Sequence, residues 1–193
     1  RARGFESSEM RKEDFKLKSI KVKIWNKLIF INFSENTTSF KRLFDRIDKR
    51  IGNIDFSEYH YFERVSYPIK CNWKVYLDNY LEGFHIPLVH KELSKVLDYR
   101  SYETELYDDF SLQWCNIKSE ENPYLDSGIS KPVAYYFTVF PNILLNIAPG
   151  RLQTNIVEPK SSKTCTVHFD YFFSSIDKRS IKKDMDFSDL IQK

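Results

Sequence analysis

The feature that most constrains this chain is a succession of strand-like runs toward its C-terminal end. Residues 133–140, 143–147, 152–157 and 164–174 are rich in aromatic and β-branched side chains, and the last alternates like a half-buried strand. Pro149-Gly150 separates the second run from the third, where Pro fixes φ at the first turn position and Gly tolerates positive φ at the next. Residues 160–163 form another polar turn. Upstream, residues 41–51 carry Leu43, Phe44 and Ile47 at helical spacing after polar Thr37, Thr38 and Ser39. Residues 59–69 read as a strand, 93–97 as a short helical turn or loop, and 102–117 are mixed. Residues 119–131 form a polar loop bearing Pro123 and Gly128, and the segment from Asp177 onward is charged and helical in pattern. Periodicity therefore gives an α+β class.

Such a chain needs apolar residues to bury, and 41% of its 193 residues supply one sizeable core. A net charge of +3, with basic and acidic residues interleaved, describes a solvated surface rather than a nucleic-acid footprint. No apolar run approaches the roughly 18 residues that span a bilayer. Neither nucleic acid nor membrane is an expected partner. No signal-peptide pattern is visible. Cys71, Cys115 and Cys165 lie far apart and read as buried thiols, which fits a reducing compartment, with the cytoplasm as the default expectation.

The chemistry concentrates in residues 72–90, where two histidines, acids and amides interrupt an apolar, aromatic run. At about 100° per residue, Asp78, Glu82 and His85 share one stripe of a continuous helix. His90, five residues after His85, would point roughly 140° away on such a helix. Pro87 is expected to end or bend the helix by pushing Ile86 out of the helical region, letting His90 swing back. Two histidines and a carboxylate on one face of a metal is the arrangement of non-heme Fe(II) oxygenases. A His-x4-His pair also fits hydrogen-bonded core histidines, and both readings stand on spacing alone.

The chain resembles the alpha subunits of Rieske-type non-heme iron oxygenases, the aromatic-ring-hydroxylating oxygenases. The resemblance lies in Asn72-Trp73-Lys74, Asp78-Asn79-Tyr80, Glu82-Gly83-Phe84-His85 and the stretch from Pro87 to His90. It continues in the run YYFTVFPN ending at Asn142, in NIAPGRLQTN ending at Asn155, and in FDYFF ending at Phe173. It implies a helix-grip (START/SRPBCC-like) fold, an antiparallel sheet packed on helices. It further implies His85 and His90 as ligands of a mononuclear Fe(II), with Glu82 as the acid that links this iron across a subunit boundary to a neighbour's 2Fe-2S cluster. Asn79 is expected near the iron, although it could instead hydrogen-bond backbone. Asp78 is either a partner of the ligands or a surface acid. Glu at position 82 points weakly to quaternary-ammonium substrates such as choline or carnitine.

The resemblance implies O2-dependent hydroxylation, dihydroxylation or oxidative demethylation of a small organic substrate. A reductase or ferredoxin would donate electrons, and the assembly would be a homotrimer. A Rieske cluster needs a Cys-x-His together with a Cys-x-x-His, and no Cys-x-His occurs, so the cluster is expected in the full-length protein but not in this chain. Residues 1–35 are expected to be a C-terminal remnant of the Rieske domain, and residues 36–193 the catalytic domain. The third, carboxylate ligand is expected just beyond Lys193, with none of Asp184, Asp186 and Asp189 assigned to it. Phe137, Phe140, Leu144 and Ile147 either line the substrate cavity or pack as core. His60 and His168 read as structural, and Tyr76 and Tyr80 as core. The competing function is a metal-free helix-grip domain holding a hydrophobic ligand; a zinc hydrolase would need a third ligand and a general base near the pair.

Overall fold

Apolar side chains at positions 40, 43, 44, 47 and 51 form one stripe of helix α1 (Phe40–Ile51), whose Phe44, Ile47 and Ile51 are buried. Gly52 ends it with φ of 68°, donating its N–H to the Asp48 carbonyl, a conformation that costs glycine little. The computed structural model describes residues 15–33, 40–52, 54–118, 132–175 and 177–192. The polar stretch expected to start α1 and the loop 119–131 lie outside the described residues.

Two strands, β1 (Lys21–Trp25) and β2 (Leu28–Asn32), form an antiparallel ribbon that does not join the main sheet. The ribbon packs on α1 through Trp25, Leu28 and Phe30, and the Trp25 indole N–H donates to Asp48 at 2.8 Å. The main sheet is built from β3 (His60–Ile69), β4 (Leu97–Leu106), β5 (Phe110–Ile117), β6 (Val133–Val139), β7 (Ile143–Ala148), β8 (Arg151–Pro159) and β9 (Cys165–Phe173). Its order is β3-β9-β8-β7-β6-β5-β4, every neighbouring pair antiparallel. Between β3 and β4 run α2 (Trp73–Tyr80), α3 (Ile86–Val89) and α4 (Lys91–Val96), and α5 (Lys178–Gln192) closes the described chain. The α+β, helix-grip expectation holds.

Strand parity divides the core. Phe110, Leu112, Phe137, Leu145, Ile147, Leu152 and Phe172 face α1 and the ribbon. The opposite face sends Leu144, Val157, Val167, Phe169 and Tyr171 toward Leu77 of α2 and Ile181 of α5. The Pro149-Gly150 turn forms between β7 and β8 with Gly150 at φ of 74°.

The stretch 102–117, read as mixed, is the hairpin of β4 and β5. Strand β4 hides its period because it is a half-buried edge with a register shift between Asp98 and Glu103. Phe140 is 80% exposed, and Phe137, Leu144 and Ile147 are buried core, so none of the four lines the cavity described below.

Candidate active site

The site hangs on the short segments between α2 and α4. Asn72 caps α2, its side chain accepting the Lys74 N–H, and Leu81 closes the helix with its N–H on the Leu77 carbonyl. The expected continuous stripe of Asp78, Glu82 and His85 is therefore not formed. The helix stops at Tyr80, Asp78 is exposed, and Glu82 and His85 belong to the turn that follows. Glu82 meets His85 all the same. Its Oε2 accepts the backbone N–H groups of Phe84 at 2.5 Å and His85 at 3.3 Å, and its Oε1 lies 2.5 Å from His85 Nδ1.

Pro87 also acts differently from expectation: it sits in the first turn of α3, where its missing N–H would have had no helical partner. The chain leaves the helical region after that helix instead, at His90. His85 precedes it and His90 follows it with φ of −99° and ψ of 65°, outside the helical region. The two imidazoles consequently stand with ring centroids 5.0 Å apart and planes at 75°. Two imidazoles bonded to one ion through nitrogens about 2.1 Å away, at a right angle or slightly wider, have centroids about 4.6–5.0 Å apart. The donor pair thus fits a shared metal. Among the described residues no group of three His, Cys, Asp or Glu side chains comes together around a metal position.

Burial raises the Glu82 carboxyl, but the His85 ring and the Phe84 N–H outweigh it and hold the group below the usual glutamate range. A carboxylate can only accept, so the His85 proton lies on Nδ1 and the Nε2 lone pair is available. Burial, helped by neighbouring His85, pushes His90 below the usual histidine value, favouring the neutral ring that a metal needs.

Both rings line a cavity of about 310 Å³ between the α2–α4 segment, the sheet and α5. Asn79, Glu82, Tyr76 and Tyr80 also line it; the two tyrosines pack against the core, as expected, and form wall as well. The far wall was not foreseen: Tyr136 and Asn146 from β6 and β7, and Arg151, Gln153 and Asn155 from successive inward positions of β8. The last three are buried, and Arg151 meets Asp184 of α5 at 3.2 Å while lying over the Tyr171 ring. Burial raises the Asp184 carboxyl against the opposing pull of Arg151. The signal was in the sequence: polar side chains at every second position of a central strand, buried on both faces, need a reason to be there. His168, held between Ser66 and Glu158, and exposed His60 are away from the cavity, as expected. The three cysteines are free, Cys71 half-buried and the others buried.

Residues 56–189 match the family model described as the ring hydroxylating alpha subunit, catalytic domain. The chain belongs to this ring-hydroxylating alpha-subunit family. It is 36% identical over 145 residues to the chloroplastic choline monooxygenase of Arabidopsis thaliana, covering 73% of this chain and 34% of that protein. It is 26% identical over 179 residues to the carnitine monooxygenase oxygenase subunit of Acinetobacter pittii, covering 90% of this chain and 48% of the relative. Among solved structures it is similar in fold to the quaternary ammonium Rieske monooxygenase CntA bound to an inhibitor, with a TM-score of 0.76 and 20% identity, covering 94% of this chain and 50% of that one. Naphthalene 1,2-dioxygenase from a Rhodococcus species has a TM-score of 0.63 at 15% identity, covering 88% of this chain and 48% of the other. This ring-hydroxylating alpha subunit thus spans half or less of the length of these relatives. None of its described helices is long and apolar enough to cross a membrane.

Proposed function

We propose that this chain is the catalytic part of a Rieske-type non-heme iron oxygenase that hydroxylates or oxidatively demethylates a small organic substrate, with His85 and His90 holding Fe(II). The observation that carries the reading is the pair of cavity-facing imidazoles 5.0 Å apart, one of them gripped at Nδ1 by Glu82. A pocket that only stores a hydrophobic ligand has no need of that pair. When bound, ferrous iron supplies the activation of O2.

The chain's own residues do the rest. Glu82 fixes the His85 tautomer and orientation and strengthens it as a ligand. The Glu82 side chain is 34% exposed against 19% for His85, so this carboxylate connects an interior imidazole with the molecular surface. That supports a route for electrons arriving from a 2Fe-2S cluster on a neighbouring subunit, supplied in turn by a reductase or ferredoxin. Beside it, Phe84, Leu88 and Val89 are 80%, 77% and 67% exposed, an apolar strip suited to a subunit contact in a homotrimer. Asn79 lines the cavity within the same segment and is a polar contact for substrate or bound water.

The substrate class we favour is a quaternary-ammonium compound, because the relatives named above act on choline and carnitine and because Tyr76, Tyr80 and Tyr136 give the cavity aromatic walls that attract cations. A cavity of about 310 Å³ limits the substrate to a small molecule, near the lower end of the roughly 300–1,000 Å³ typical of such sites. Residues 1–35, with the β1–β2 ribbon, are read as part of a Rieske domain and 36–193 as catalytic domain; the ribbon's separation from the main sheet and the match starting at residue 56 support this.

The test is an anaerobic Fe(II) titration of a form extended past Lys193, where the third ligand is expected, beside its His85→Ala variant. One iron per chain, with affinity lost by more than about 100-fold in the variant, supports the reading. No iron in either form favours a metal-free ligand-binding domain.

A further inference from the structure

Tyr80 is the last residue of α2, and its carbonyl is among those that find no partner inside the helix. Gln113 of β5, 1% exposed, reaches back across 33 positions and donates Nε2 to that carbonyl at 2.7 Å. The Gln113 Oε1 accepts the Tyr102 hydroxyl. The ring of Tyr102 lies flat against Gly83: a Cβ there would fall 2.7 Å from both Cε1 and Oη of the tyrosine, so only glycine permits the approach. Tyr102 arrives there through the irregularity in β4. Asp98 pairs with Asn116 and Glu103 with Trp114, leaving residues 99–102 opposite Cys115. Ser101 replaces the lost ladder bonds, donating to the Asp98 carbonyl at 2.7 Å and accepting the Asn116 N–H at 2.8 Å. One buried amide thus ties the end of α2 and, through Tyr102, the glycine between Glu82 and His85 to the same point of the sheet.

We propose that Gln113 is a positioning residue for the Glu82–His85 turn, fixing through the Tyr80 carbonyl and Tyr102 where the His85 imidazole stands relative to His90; this rests on the reading of those histidines as metal ligands. A glutamine that merely satisfied itself in the core would leave the turn indifferent to its loss. Both of its polar atoms are instead spent on groups that flank the turn, and buried polar groups are stable only when fully satisfied.

The experiment uses the full-length protein with Gln113→Leu, Gln113→Glu and Tyr102→Phe. Gln113→Glu keeps an acceptor for Tyr102 and, when ionised, loses the donor to Tyr80, and Tyr102→Phe keeps the ring on Gly83. The readouts are amide hydrogen exchange at Phe84 and His85, and anaerobic Co(II) titration followed by the visible ligand-field spectrum. Gln113→Leu is expected to lose protection at these two amides while β7 and β8 keep theirs, to weaken Co(II) binding about tenfold and to alter the spectrum. The other two variants shift the same readouts in the same direction by less. Should Gln113→Leu fail to fold, these two decide. Unchanged exchange and an unchanged spectrum in the folded variants overturn the proposal. If the parent protein binds no Co(II) while exchange at Phe84 and His85 still responds to Gln113, the metal-site reading fails and the positioning of the turn stands.

Discussion

The two faces of the main sheet use one backbone for different work. Toward α1 and the ribbon, inward positions are mostly hydrocarbon: Phe137 and Leu145 are fully buried, Trp25 packs at a tilt on Phe44 and Phe56, and the buried polar exceptions are Thr154 and Asp170, the latter paired with Arg64. Toward α2 and α5, the same strands bury Gln113, Arg151, Gln153 and Asn155 beside a cavity holding two histidines. Burying amides and a guanidinium gains little stability compared with apolar packing, since each must recover the hydrogen bonds it loses to water. One face therefore stabilises the fold and the other spends part of that stability on a polar site.

The sharpest way to break this contrast is Phe137→Ala. Truncating a fully buried aromatic should cost about 3–5 kcal/mol, seen as a lower urea midpoint, while Fe(II) affinity of the folded fraction stays unchanged. A metal-affinity loss there would mean that the faces are not separate. Next comes Arg151→Met, which leaves Asp184 buried without its cation. It should cost about 3 kcal/mol, the low end for breaking a buried pair, because the Asp184 carboxyl, already raised, can take up a proton. The double variant with Asp184→Leu should recover most of that loss in the same urea experiment.

Tyr80→Phe removes the hydroxyl that donates to Asn146 Oδ1 at 2.8 Å and should cost about 1 kcal/mol. Urea unfolding should detect it, with the change confined to the cavity face by hydrogen exchange. The smallest effect is pH dependence from Glu82. Its folded pKa lies below the ordinary glutamate value, so its stabilising contribution is complete above that value and is lost as pH falls through the folded one. Urea midpoints measured from about pH 6 to pH 3 should fall less steeply in Glu82→Gln than in the parent.

The apolar face was readable in the sequence because helix spacing and strand-like runs there coincide with burial: α1 starts at Phe40 and ends at Ile51, and β6 to β9 fall on the four strand-like runs. The site face was readable only as composition. His85, His90 and Glu82 stand out by type, yet the stripe expected to join Glu82 to His85 does not exist, because α2 ends at Tyr80 and a carboxylate-capped turn joins them instead. The expected cavity residues are the apolar Phe137, Phe140, Leu144 and Ile147, whereas parity puts Phe137 and Ile147 on the other face and Tyr136 and Asn146 inside. Strand β4 escaped because an irregular edge carries no clean period, and Tyr102 escaped with it. Local pattern reports what is buried, and the site depends on which face it is buried on and on contacts far along the chain.

That His85 and His90 share one ion is tested most directly by X-ray absorption at the cobalt edge of the full-length protein carrying Co(II) at this site, where an iron–sulfur cluster is silent. Imidazole scattering from two rings is expected, with one lost in His90→Ala. Fewer than two imidazoles in the parent, or a signal indifferent to His90, would contradict it.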